Sequence, residues 1–137
     1  MSEPRFAIDD SDLCTEFAEL AGHVAYYGSM LAQARTDREL AKLALEETRA
    51  KAHLLVREST ANAKPKPTVA DIDATVAMRA DVHDARMAYI ESEAAHELAK
   101  SNLAAMLAKR DMLISLGAHV RSEMDTTVTK INNDFVR

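Results

Sequence analysis

A chain of 137 residues has room for one domain, and this one is 47% hydrophobic but only 4% aromatic. Twenty-five alanines, together with Leu, Met and Val, supply nearly all of its apolar surface, a composition of helix formers that excludes sandwiches, barrels and Rossmann-type α/β domains. A net charge of −5 speaks against indiscriminate nucleic-acid binding, and the single Cys14 excludes an intramolecular disulfide or a cysteine-based zinc site.

The expected fold is all-α: long helices in an extended helical hairpin or bundle, with a short C-terminal helix used in oligomerisation. Ser11 or Asp12 caps a first long segment over residues 12–59. Leu13, Phe17, Leu20, Val24, Tyr27 and Leu31 follow a heptad rhythm that Ala34 continues. Arg38 interrupts this seam, and Ala41, Leu45, Ala52 and Leu55 resume it. Thr36 and Glu39 form a T-x-x-E pattern that can start a helix, but no Gly or Pro accompanies it, so one continuous helix is the preferred reading. Such a helix spans roughly 70 Å, against a diameter near 40 Å for a compact globule of this length. It therefore protrudes or packs on other protomers.

Residues 60–67, with two prolines and two lysines, read as an exposed connector. Thr68 and Asp71 then cap a second helical segment over residues 68–116. Along it, Met78, Val82, Ala85 and Tyr89 make one face, and Met87, Ile90, Ala94 and Leu98 an adjacent one. Gly117 stands where a glycine ends a helix, which leaves a third helix over residues 118–135. Its apolar stripe, with the end of the preceding segment, supplies the expected oligomer contacts: Leu113, Leu116, Val120, Met124, Val128 and Ile131. The whole chain reads as a single helical domain. No uncharged apolar run approaches the ~18 residues of a membrane span. The acidic start is unlike a signal peptide, so a cytoplasmic location is expected.

Charge is unevenly spread. Between Arg49 and Lys66 lie Arg49, Lys51, Arg57, Lys64 and Lys66 against Glu58 alone. Arg49, His53 and Arg57 recur every four residues and share one helical stripe, while Lys64 and Lys66 sit on the connector. A helix end with a lysine-bearing loop can follow a phosphate backbone without reading base edges, and several protomers multiply the effect. The alternative is that these charges only solvate a helix. Tyr26 and Tyr27 are candidate base-stacking residues, although Tyr27 lies on the seam.

Other chemistry is sparse. Glu93 and His96 have the E-x-x-H spacing of di-iron bundles but lack a second copy. Asp81, Asp84, Glu91, Glu93 and Glu97 read as a solvated face. There is no phosphate-binding glycine loop, nucleophile elbow or Cys–His pairing. No enzyme, metal or cofactor is expected.

Taken in order, a tyrosine-containing helical start (HVAYYGSML), a long charged helix bearing Arg49, Ala50 and Lys51, a connector, and a helical block ending in KRDMLISLGAHVRSEM resemble the UvsY-type phage recombination mediators. The likeness covers roughly residues 20–125 in order and spacing. It implies a small helical protein without catalytic residues that assembles into a ring and binds single-stranded DNA. Such a protein helps load a RecA-like recombinase onto strands covered by single-strand-binding protein. On this resemblance Arg49 and Lys51 hold DNA, and the region from Leu113 to Met124 and the tail hold the ring together. The chain departs from the family in its acidic balance and less lysine-rich helix; Arg57, Lys64 and Lys66 are read as compensating. A helical oligomeric adaptor, phage assembly factor or inhibitor of a host protein, indifferent to DNA, fits the same seams.

Overall fold

A computed structural model describes residues 6–136. The described residues form three α-helices and no strand: α1 (Leu13–Thr60), α2 (Val69–Ala77) and α3 (Ala80–Phe135). None of these helices is long and apolar enough to cross a membrane. Of the two cap candidates, Asp12 opens α1, its carboxylate accepting the Thr15 N–H at 3.2 Å and the Thr15 hydroxyl at 2.7 Å. The helix passes Thr36 unbroken. There the threonine hydroxyl donates to the Ala32 carbonyl at 3.2 Å, the back-bond of a mid-helix threonine.

Thr68 and Asp71 form a full capping box at the start of α2. The Asp71 N–H donates to Thr68 Oγ1 at 3.2 Å, and the Thr68 N–H to Asp71 Oδ2 at 2.9 Å. The Thr68 N–H also holds the Asp71 carboxyl below its ordinary range.

Two expectations need correcting. The segment over residues 68–116 is not one helix, because the chain turns at Met78 and Arg79 between α2 and α3. Val76 and Val82 share one core, yet six helical steps would set them about 120° apart around a single axis. The turn brings both inward. Asp81 then anchors the start of α3, accepting the Val82 N–H at 2.9 Å and the Arg79 guanidinium at 3.1 Å.

The separate helix over residues 118–135 does not exist either, since α3 runs unbroken through Gly117 to Phe135. A glycine costs a helix interior only about 1 kcal/mol, and no glycine among the described residues has a positive φ. Gly117 instead lies against a ring: a Cβ there would stand 3.4 Å from Phe17 Cζ.

Packing divides the chain into a first unit (Met1–Ser29 with Lys100–Arg137) and a second (Met30–Ala99). In each, a stretch of α1 lies antiparallel to a stretch of α3. In the first unit Leu20, Tyr27, Met106 and Leu113 form the core, with Ile8, Leu13, Val24 and Leu103 packed against it. The Phe6 ring lies 5.7 Å from that of Tyr27. Within this unit Lys109 Nζ and Glu16 Oε2 form a buried ion pair at 2.6 Å.

In the second unit Leu45, Ala52, Val56, Val76 and Val82 form the core, flanked by Ile72, Ala85 and Tyr89. The seam expected to end at Leu55 ends instead at Val56, leaving Leu55 49% exposed. Where α2 joins α3 against the end of α1, the covered arc of α1 shifts by one residue. Arg38 does not break the seam but joins it, its Nη1 lying 3.4 Å from His96 Nδ1 on α3.

Candidate nucleic-acid interface

The basic strip lies wholly in the second unit. Arg49, Lys51 and Arg57 stand exposed on α1, and Lys64 and Lys66 stand exposed on the connector before α2. His53, on the same stripe as Arg49 and Arg57, is half-buried and lies 3.4 Å through Nε2 from Asp73 Oδ1 of α2. Elsewhere among the described residues Arg38 pairs with Glu39, Arg79 with Asp81 and Arg110 with Asp111. Among the described residues, none of the five strip cations lies within 4.0 Å of a carboxylate oxygen. Their charge is open to an external anion.

Arg49 and His53 also edge a cleft of about 220 Å³. Asp73, Val76 and Ala77 of α2 and Val82 and Arg86 of α3 complete its lining. Arg86 was not visible as a site residue in the sequence, because it lies far along the chain from the strip. The signal that finds it is the antiparallel seam. Pairing Ala52 and Val56 with Val82 through their shared core brings the first turns of α3 beside residues 49–53.

The remaining candidates are scattered. Tyr27 is buried and Tyr26 is 42% exposed, and both belong to the first unit, not to the unit of the strip. The Tyr89 hydroxyl donates to Glu93 Oε1 at 2.8 Å, which holds the Tyr89 hydroxyl above its ordinary pKa range. His96 faces Arg38. Among the described residues no set of three ligand-type side chains converges on a metal position.

Of the expected oligomer contacts, Leu113 must be corrected: it is fully buried in the first unit's own core and cannot face a second copy. Leu116 and Val120 are half-buried, whereas Met124, Val128 and Ile131 are exposed along the last turns of α3.

Compared with protein-family models, curated proteins and solved structures, the chain matches none.

Proposed function

We propose that this chain is a non-enzymatic accessory protein that binds single-stranded DNA as an oligomer, in the manner of a recombination mediator. Arg49, Lys51 and Arg57 hold phosphates, and Lys64 and Lys66 assist from the connector. The observation that carries this reading is the set of five exposed cations, clustered at one helix end and its loop and without a carboxylate ion pair among the described residues. A strip of this kind attracts a phosphate backbone through counterion release, without reading base edges. Copies join through Met124, Val128 and Ile131, with Leu116 and Val120 at the margin, and the joined strips act together. The resemblance to UvsY-type mediators adds a RecA-like recombinase and single-strand-binding protein as partners, a ring as the assembled form, and a phage setting in the host cytoplasm.

The test is mass by light scattering, with and without a single-stranded oligonucleotide. The expected result is a multiple of the protomer mass that rises further when the oligonucleotide is added. A monomer with no change on addition contradicts the proposal.

A second reading, a helical adaptor that ignores DNA, draws on Met87, Ile90 and Leu98, which stand exposed along one face of α3. It predicts an oligomer or heteromeric complex and no oligonucleotide-dependent gain in mass.

A further inference from the structure

We infer that the cleft lined by α1, α2 and α3 in the second unit is a seat for a single phosphate group, held by Arg49 and Arg86 from the two long helices with His53 beside them. This deepens the strip reading, on which it rests for Arg49, by naming the position at which one phosphate is gripped instead of merely attracted.

Arg49 and Arg86 both line one small cleft, and neither has a carboxylate oxygen within ion-pairing distance among the described residues. Two arginines against the single carboxylate of Asp73 leave the lining with a positive excess that an anion would balance. The planar fork of each guanidinium matches phosphate oxygens two at a time. The floor is apolar: Val76 and Val82 are both buried, with Val82 at 0% exposure. Low polarity on one side strengthens the attraction of the cations for an anion held against it.

The cleft of about 220 Å³ equals roughly seven waters at ~30 Å³ each, below the ~300 Å³ at which sites for drug-sized molecules begin. It has room for a phosphate with a few waters. The sole carboxylate in the lining, Asp73, lies 3.4 Å from His53 and places a negative charge in the cleft that opposes an incoming phosphate.

The shared chemistry is a phosphate group, available from the DNA backbone, from a strand end or free in solution. Three probes separate these sources on the full-length protein: inorganic pyrophosphate, and oligo-dT carrying either a 5′-phosphate or a 5′-hydroxyl. Arg86→Gln is expected to weaken binding of at least one probe about tenfold, the loss of one charge-assisted pair. Asp73→Asn is expected to tighten the same probe. A loss with both oligonucleotides marks a backbone phosphate, a loss with the 5′-phosphorylated one alone marks a strand end, and a loss with pyrophosphate alone marks free phosphate. Arg86→Lys, which keeps the charge but not the fork, should fall between wild type and Arg86→Gln, and circular dichroism confirms that each variant is helical. The inference is overturned if Arg86→Gln and Asp73→Asn bind all three probes as wild type does. The strip is scored separately by Arg57→Gln, which lies outside the cleft lining. If that variant alone weakens oligonucleotide binding, the strip stands and the cleft falls. If pyrophosphate responds to Arg86→Gln while no oligonucleotide binds wild type, the cleft stands and the DNA reading falls.

Discussion

Lys109→Met is expected to lower the free energy of unfolding by about 3–5 kcal/mol, the usual cost of removing one member of a buried ion pair. Lys109 Nζ sits 2.6 Å from Glu16 Oε2, and the two side chains are only 3% and 14% exposed. Methionine fills much of the space of the lysine stem but leaves the Glu16 carboxylate without its ammonium. The Asp9 N–H, which donates to Glu16 Oε1 at 3.0 Å, is left as a neutral donor only. The double variant Glu16→Leu with Lys109→Met should recover much of the loss, because an apolar pair of similar volume replaces a buried ion pair at little net cost. The same pair sets a pH dependence. The hydrogen bond from Lys109, and after it the Asp9 N–H, hold the Glu16 carboxyl below its ordinary range in the folded state. Its contribution is therefore complete above the ordinary carboxylate pKa and is lost as pH falls through that range toward the lowered value. Lys109→Met should remove this component of the acid sensitivity. Urea denaturation at fixed protomer concentration reads both effects. A variant within ~0.5 kcal/mol of wild type, the scatter of an ordinary surface change, would mean that the pair is not desolvated.

Leu113→Ala is expected to cost about 2.7–5 kcal/mol, the range for a leucine truncated in a packed core. The side chain is fully buried among Leu20, Tyr27 and Met106. With no exposed surface and neighbours from two helices, the hole has little scope to close. The same variant separates a core residue from an oligomer contact. A core leucine loses stability at every protomer concentration while the assembled mass of the folded protein stays as in wild type. A contact leucine would shift the mass and leave the protomer stable. Loss of assembly without loss of protomer stability would return Leu113 to the interface.

Much of the fold was legible in the residues. The first long helix, its cap near Asp12, the connector and the Thr68–Asp71 box all follow from local chemistry: side-chain oxygens beside free N–H groups, prolines without a donor, and a sustained seam. What escaped was set by tertiary packing. Gly117 looks like a stop, but glycine at about 1 kcal/mol is a weak punctuation mark when the seam continues through Leu116 and Val120. The turn at Met78 and Arg79 has no glycine or proline to announce it, and exists because Val76 and Val82 must reach one core. The strip was readable because its charges are close in sequence. Arg86 was not, because the cleft joins helices that meet only once the chain has folded back. Leu113 and Met124 look alike along the chain as apolar residues on one helix. Only the first has α1 against it.

The central claim is that the exposed cations of α1 and the connector hold phosphates. The most direct measurement is the affinity of wild type and of the Arg49→Gln, Lys51→Gln double variant for a fluorescent oligo-dT, titrated between about 50 and 200 mM salt. Each phosphate neutralised on a single strand contributes about −0.7 to the slope of log affinity against log salt. Five engaged cations on a protomer therefore predict a slope near −3.5, and the double variant should be weaker and shallower by about 1.4 while keeping its assembled mass. An affinity and a slope unchanged in the double variant would contradict the account.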